Sequence, residues 1–417
     1  MRVTNLMINN NLVHTLNRHQ YQLQTTEEML ATGSKIRLPS DDPVGAANQM
    51  LLRSRMHELE QYERNIQEAK DRLNLMDGQL DRVGEIFQRM RYLTVQAANG
   101  TNSGFELREA IAKEINQHLL ALVDIANTKD ATGRPLFGGS VIERDPFLPI
   151  FTHLMSQGID QGNAMTAVQY QGDNQVLVRE IERNEEMAIS IPGHRIFWGT
   201  NMSIASNKDS FNYVALGDQS FAIDGVRIDV SAGDTLNDII DKINTAPLEV
   251  RAAKGAQNEI ILTTKTPHMI WLEDLHGGTV LQDLGLIDGA NPEPPNNYSP
   301  NATISGLSLF DVVIMLRDDL IKADSRLVGG RDLEALDMAL ENILRYRSEI
   351  GARLNRLEQH EKRIAWDKTY AQELLAKNES VDVVESIVNL KWLESVHAYA
   401  LRVGAGIIKP TLMDFLR

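Results

Sequence analysis

The histidines of this chain are the first residues to test for chemistry, because imidazole serves both as a metal ligand and as a general base. His57 and Glu58 begin a zinc-protease type of motif, but the helical position that must carry the second histidine is Gln61. His14 and His19 are five residues apart and do not share a helix face, so solvated or interfacial roles fit them better. The chain contains no cysteine, which excludes disulfides, thiolate metal sites and cysteine nucleophiles.

Two further motifs resemble ligand sites only in part. Gly404-Ala405-Gly406 is similar to a piece of a phosphate-binding loop, yet no strand precedes it and no lysine follows in the required place. We expect it to end or loosen the last helix. Asp41 and Asp42 stand just before a proline, which favours a capping pair at a helix start over a cation site. The sequence therefore predicts a protein that is not an enzyme and uses no cofactor, metal ion or small-molecule substrate.

Charge and hydropathy limit the partners. The formal net charge is -15, which argues against nucleic acid or an anionic membrane, since both require basic patches. The chain has no stretch of eighteen apolar residues and no signal-peptide pattern at its start. We expect a cytoplasmic protein or one exported without signal cleavage.

A thin apolar stripe marks each end of the chain. The stripe residues recur at helical spacing: Leu12, Leu16, Leu23 and Leu30 near the start, and Val384, Val388, Trp392, Val396, Tyr399 and Val403 near the end. Each stripe can pack on a partner helix but is too thin to form a core alone. We expect both terminal helices to become ordered only by docking on each other or on neighbouring subunits, and we assign the ten stripe residues to subunit packing.

Two long heptad repeats lie inside these ends. The first runs from Leu52 to Asn99-Gly100, and the second follows Gly329-Gly330 from Leu336 to Leu375. Two equally striped helices so far apart in sequence are most simply paired antiparallel. We therefore predict a mainly α fold with an α+β insert, in which long antiparallel heptad helices from both chain ends form a coiled-coil-like rod.

The segment between the two repeats changes its pattern. Residues 167–179 and 187–191 predict a β-hairpin region, and Phe221 to Val230 predicts two strands around Asp224-Gly225. Thr235 to Ile243 predicts a capped helix. The predicted domains are residues 1–40 with 378–417 as terminal assembly helices, 41–199 with 301–377 as the helical rod domain with its β-hairpin region, and 200–300 as a small α+β outer domain.

Several segments resemble the bacterial flagellin family. Residues 1–5, 32–37, 39–43 and 65–66 resemble its N-terminal region, and residues 125–128, 133–140, 170–173 and 407–416 resemble its hook-associated branch. The insert is similar to a small module that flagellins and hook-associated proteins share. Filament flagellins usually have small residues after the paired aspartates, where this chain has Pro43-Val44.

The resemblance implies a structural protein of the bacterial flagellum that joins hook to filament as a ring of subunits. Its implied partners are further copies of itself, the first hook-associated protein, flagellin and an export chaperone. It also implies type III export to an external or periplasmic flagellum, with the terminal helices innermost and the insert facing outward. The residues leave open a minor filament flagellin, a coiled-coil adhesin or translocator, and a flagellin-like protein with an enzymatic insert.

Overall fold

The computed structural model of the chain describes residues 5–99, 105–156, 159–322 and 325–407. The helices are α1 (Asn5–Thr32), α2 (Pro43–Ala98), α3 (Phe105–Ala126), α4 (Gly193–Ile196), α5 (Leu236–Thr245), α6 (Val280–Asp283), α7 (Leu309–Ile321), α8 (Ser325–Leu327), α9 (Leu333–Glu379) and α10 (Val383–Ile407), with a π-helix at Val328–Asp332 before α9. The strands are β1 (Phe147–Ser156), β2 (Ile159–Tyr170), β3 (Val178–Glu182), β4 (Glu185–Ala188), β5 (Ser203–Ala205), β6 (Gln219–Ile223), β7 (Val226–Val230), β8 (Val250–Lys254), β9 (Ile260–Thr264), β10 (Leu272–Leu275) and β11 (Thr303–Ser305).

The chain divides into two compact units. The terminal unit comprises Met1–Arg64 and Glu361–Arg417, and the central unit comprises Asn65–His360. Among the described residues, no helix is both long and apolar enough to cross a membrane. The resemblance at residues 1–4 and 408–416 and the predicted stop at Gly100 lie outside the described residues.

Helix α2 follows the predicted heptad register. Asp42 Oδ1 accepts the backbone N–H groups of Val44 and Gly45 at 3.1 and 3.0 Å, so it caps the helix that Pro43 begins, as the sequence predicted. The a and d side chains are buried over most of the helix: Leu59, Tyr62, Ile66, Ala69, Leu73, Met76, Leu80, Val83, Phe87, Met90, Thr94 and Ala97. The seven-residue repeat thus identified the buried face correctly.

Ion pairs establish that α2 and α9 run antiparallel. In the central unit, Arg91 Nε lies 2.6 Å from Asp337, and Arg347 lies 3.1 Å from Asp77 and 2.6 Å from Asp81. From one ion pair to the next, the residue number decreases along α2 while it increases along α9.

The same order holds within the terminal unit. Lys368 lies 2.8 Å from Glu63, and Glu379 lies 2.8 Å from Arg53. The antiparallel pairing of the two heptad helices is therefore confirmed in each unit.

In the central unit, an aromatic cluster fills the space between α3, α7 and the hairpin β1–β2. Phe147 lies 5.0 Å from Phe197 and 5.2 Å from Phe310 between ring centroids, and Phe137 lies 5.0 Å from Phe197. All four phenylalanine side chains are essentially inaccessible to solvent. Rings at these separations contribute packing energy beyond the area that they bury.

Two of the segments that resemble hook-associated proteins meet in this region. Ser140 donates its backbone N–H to Asp173 Oδ1 at 2.9 Å, and the Tyr170 hydroxyl donates to the carbonyl of Phe137 at 3.1 Å. Gly139 has φ +71°, and a Cβ there would lie 1.9 Å from Asp173 Oδ1. The glycine is therefore required twice, for its backbone conformation and for its lack of a side chain.

The hairpins differ from the prediction. The sequence placed hairpin strands at residues 167–179 and 187–191, whereas the structure has a long hairpin at β1–β2 and a short one at β3–β4. The sequence did not predict β1 because apolar and polar residues do not alternate clearly along it. Leu148, Ile150 and Phe151 are exposed apolar residues that lie on both sides of the strand's pleat.

The insert contains two antiparallel sheets, with strand orders β10-β6-β7 and β11-β5-β9-β8. Asp224 and Gly225 have φ values of 52° and 82°, which suits the tight turn between β6 and β7. Thr235 and Asp238 form a capping box at the start of α5. Strands β5 and β11 pair where the chain enters and leaves this region, so the predicted small α+β fold is confirmed.

We predict that Leu73→Ala costs about 2 to 5 kcal/mol of unfolding free energy, because Leu73 is completely buried and truncation leaves a cavity. The neighbouring exposed residue provides the control: Asn74→Ala is expected to change stability by less than about 0.5 kcal/mol. Urea unfolding of the purified chain measures both values. Equal losses would contradict the heptad register.

A second prediction concerns His194, which is fully buried with neither ring nitrogen hydrogen-bonded. Burial, followed by the nearby charges of Arg195 and His268, holds its pKa well below the ordinary value. Only the unfolded chain then binds a proton on this group below about pH 6.5, so stability falls as the pH falls, by up to about 1.4 kcal/mol per pH unit. We expect His194→Leu to be less sensitive than the wild-type chain between pH 7 and 5 in urea unfolding; parallel losses would contradict a buried neutral imidazole.

Candidate assembly surface of the terminal helices

In the terminal unit, a short backbone clasp holds the inner ends of α1 and α10 side by side. Gly33 ends α1 with φ +68°, and its carbonyl accepts the N–H of Val381 at 3.2 Å. Lys35 donates its backbone N–H to the carbonyl of Glu379 at 2.7 Å. Asp382 Oδ1 then caps the start of α10. The end of α1 and the start of α10 are therefore fixed next to each other.

A narrow seam joins α1 to α10. On each helix the less exposed residues repeat at alternating intervals of four and three: Leu12, Leu16, His19, Leu23, Thr26 and Leu30 on α1, and Ser386, Leu390, Leu393, His397, Ala400 and Gly404 on α10. This is the a and d spacing of a coiled coil. Because most of these side chains are only half-buried, the pair has a thin interior.

The two helices run antiparallel in one register. A Cβ on Gly404 would lie 2.7 Å from Leu12 Cδ2, and Leu393 lines a groove with Thr26 in the middle of the pair. Ser34 and Ser380 form a β-bridge at the other end. The same register places His19 and His397 in one layer, and each has a buried Nδ1 without a hydrogen-bond partner.

The predicted stripe residues divide between two surfaces. The four leucines of α1 lie in the seam, and Val396 of α10 is half-buried. The other five α10 residues are exposed, by 74% at Val384, 62% at Val388, 61% at Trp392, 65% at Tyr399 and 59% at Val403. At 100° per residue this stripe is centred roughly 145° around the helix from the seam. The α10 stripe thus faces away from α1.

Sequence reasoning missed the α10 residues that contact α1. Ser386, His397 and Gly404 are polar or small, so they do not read as an apolar stripe. The available signal was their four-three spacing around Leu390 and Leu393. We expected Gly404-Ala405-Gly406 to end or loosen the last helix; in the structure α10 includes all three residues and extends to Ile407, and Gly404 lies buried against Leu12.

The terminal unit also carries most of the exposed large apolar side chains that the structure describes. Besides the α10 stripe they include Met50 and Leu51 of α2 and the stacked pair Trp366 and Tyr370 of α9. Exposed apolar surface on this scale is typical of a protein that buries it against a partner. The arrangement is suited to assembly.

The other candidate residues offer no comparable chemistry. The His57 side chain is 80% exposed, and its Nδ1 lies 3.5 Å from the Glu60 carboxylate. In the central unit, a cleft of about 360 Å³ contains His268, whose Nε2 lies 3.0 Å from Asp224 and whose Nδ1 lies 2.7 Å from the carbonyl of Thr266. With both nitrogens engaged, this imidazole is a structural link.

Comparison with known proteins yields two family matches. Residues 3–141 match the model of the bacterial flagellin N-terminal helical region, and residues 210–266 match the flagellin hook IN motif. The first match covers α1, α2 and α3, and the second lies within the insert.

Individual relatives agree with these matches. Polar flagellin C of Vibrio parahaemolyticus is 26% identical over 351 residues, covering 82% of this chain and 79% of the relative. A flagellin of Salmonella berta is 24% identical over 58% of this chain, which spans only 43% of that flagellin's length. Flagellar hook-associated protein 3 of Legionella pneumophila has a similar fold, with a TM-score of 0.47 and 20% identity, covering 79% of this chain and 98% of the other.

Adjacent residues of α10 separate the seam from the exposed stripe. We predict that Leu393→Asp unpairs α10 from α1, because it puts a carboxylate at a position only 7% exposed, and helices this thinly striped are marginal alone. Trp392→Asp, at an exposed position, is expected to leave the pair intact. Circular dichroism and limited proteolysis of the monomers measure the difference. Loss of helix in both variants, or in neither, would contradict the assigned faces.

Proposed function

We propose that this chain, which is similar to flagellins over residues 3–141 and 210–266 and to polar flagellin C over most of its length, is a structural subunit of the bacterial flagellum that joins hook to filament as a ring. The observation that carries the proposal is the exposed α10 stripe, a row of large apolar side chains on a helix already paired through another face. A single copy leaves this row in water. A ring of copies buries it, because each subunit offers its stripe to a neighbour.

The layers of the ring follow the predicted domains. Residues 1–40 and 378–417 form the inner wall, residues 41–199 and 301–377 form the rod layer, and residues 200–300 face outward. The concentration of exposed apolar side chains in the terminal unit supports an inner position for this unit. Many weak contacts around a closed ring add up to persistent attachment.

The partners of the ring are the first hook-associated protein on the hook side and flagellin on the filament side. The choice of a junction role over a filament role rests on the segments at residues 133–140 and 170–173, which resemble hook-associated proteins and pack together through Ser140, Asp173 and Tyr170. The subunit reaches this position by type III export, assisted by a chaperone. The proposed role is structural and includes no catalysed reaction.

The test compares a variant with new charges on the α10 stripe with a control variant that has a new charge elsewhere on α10. Val388→Asp with Trp392→Asp would put unpaired carboxylates into the ring contact, while the residues of the α1–α10 seam stay unchanged. Cells carrying this double variant are expected to make hooks, to retain no filaments and to shed flagellin into the medium, as seen by electron microscopy and immunoblotting. Ala398→Asp is the matched control, because residue 398 is exposed but lies roughly 100° from the stripe.

A deletion tests the outward position of the insert. Replacing residues 200–300 by a flexible linker is expected to leave filaments attached, since strands β5 and β11 bring the ends of this segment together. Filaments that are lost with the insert but kept with the charged stripe would overturn the junction proposal.

A second candidate is a minor filament flagellin, which the match to polar flagellin C over most of both chains favours. The two roles differ in polymerisation. A filament subunit elongates filament seeds into long polymers, whereas a junction subunit adds a limited layer. Incubating the purified chain with seeds and measuring filament length by electron microscopy decides between them.

A further inference from the structure

In the central unit, the short hairpin β3–β4 brings two carboxylates face to face. Glu182 and Glu185 are paired across the two-residue turn Arg183-Asn184, and Asn184 adopts the left-handed backbone conformation with φ 61°. Directly paired residues of an antiparallel hairpin project on the same side of the sheet. Like charges in this relation repel each other, so the hairpin has a place for a cation between them.

An imidazole from α9 lies against this pair. The His360 side chain is 9% exposed, with Nδ1 3.6 Å from Glu182 Oε2 and Nε2 3.3 Å from Glu185 Oε1. Arg356, one turn earlier on α9, contacts the same Glu185 oxygen. The hairpin is held against α9 independently of these side chains, because Arg353 donates to the carbonyl of Ala188 at 3.1 Å.

We propose that Glu182, Glu185 and His360 form a binding site for a divalent transition-metal ion, with Zn²⁺ the best fit. Each residue offers one donor atom, and the three atoms lie within 4.8 Å of one another. A tetrahedral ion with bonds of about 2.1 Å holds its donors roughly 3.4 Å apart. Rotation of the two partly exposed glutamate side chains can bring the donor atoms to this shorter separation. The fourth coordination position is left for water.

The donor set selects the class of ion. Imidazole nitrogen suits Zn²⁺ and related transition metals, whereas Ca²⁺ and Mg²⁺ prefer sites made wholly of oxygen. Two carboxylates against a dication also cancel the repulsion within the hairpin. A bound ion would link β3, β4 and α9 through one centre. The ligands on β3–β4 and α9 are distant in sequence, so no local spacing indicates this site.

Arg356 competes with the ion. Its guanidinium and the metal would use the same oxygen of Glu185, so the ion must displace it. The pair is exposed on the arginine side, at 54%, and such pairs are weak. Removing the arginine therefore favours metal binding, which distinguishes a metal site from a merely structural cluster.

The experiment is calorimetric titration of the purified full-length chain with ZnCl₂ in a non-chelating buffer, with CaCl₂ as the comparison ion. We expect saturable binding of one Zn²⁺ at this site and none of Ca²⁺. His360→Gln and Glu182→Gln are each expected to weaken Zn²⁺ binding at least about tenfold, as loss of a ligand does. His57→Gln, which alters an exposed histidine far from the cluster in sequence, is expected to leave it unchanged.

Arg356→Ala keeps the test decisive if a ligand variant unfolds. It is expected to tighten Zn²⁺ binding several-fold and to enlarge the rise in melting temperature that Zn²⁺ produces, a gain that misfolding cannot imitate. Absence of saturable binding in the wild-type chain, equal binding by His360→Gln, or weaker binding by Arg356→Ala would overturn the proposal. None of these outcomes depends on ring assembly, so this proposal and the proposed function can fail separately.

Discussion

The pairing of α2 with α9 is the constraint on which the rest of the chain depends. Each helix has an apolar stripe that it cannot bury alone, and its partner comes from the other end of the sequence. Closing a loop of this length costs entropy, but the cost rises only by about 0.6 kcal/mol for each doubling of the loop. The paired helices fix both ends of the segment between Ala98 and Leu333. This segment contains the hairpins, the aromatic cluster and the two small sheets.

The terminal helices repeat this arrangement in a weaker form. The interior of α2 contains large side chains such as Leu73 and Phe87, whereas the seam of α1 and α10 includes Thr26, Ser386 and Gly404. Small and polar residues let two helices approach closely but bury little apolar area. The terminal pair is therefore held locally by its clasp at Gly33 and Val381, and its large apolar residues remain available on the outside.

The sequence predicted the structure correctly where a local pattern of residues has a single structural meaning. Heptads predicted the buried face of α2, the aspartates before Pro43 predicted its cap, and Asp224-Gly225 predicted a tight hairpin. It failed where tertiary contacts decide the outcome. Strand β1 pairs with β2 despite an unclear alternation, and the α10 face that meets α1 has few apolar residues.

The candidate sites show the same limit. The α10 stripe was visible because five large apolar residues share one face, but only the paired structure reveals that this face points away from α1. The cluster of Glu182, Glu185 and His360 had no sequence signal, since a hairpin turn and a distant helix bring its members together.

The ion pairs along α2 and α9 also act as registration marks. A heptad seam looks almost the same after a slip of seven residues, so apolar burial alone specifies the alignment poorly. Arg347 sits between Asp77 and Asp81; a slip of one heptad would set it beside Gly84 and Gln88 in one direction, or Lys70 and Asn74 in the other. Neither offers a carboxylate. A pairing of α2 and α9 that is out of register by one heptad thus leaves charged groups unmatched. It is less stable than the correct pairing, so the two helices separate and pair again in the correct alignment.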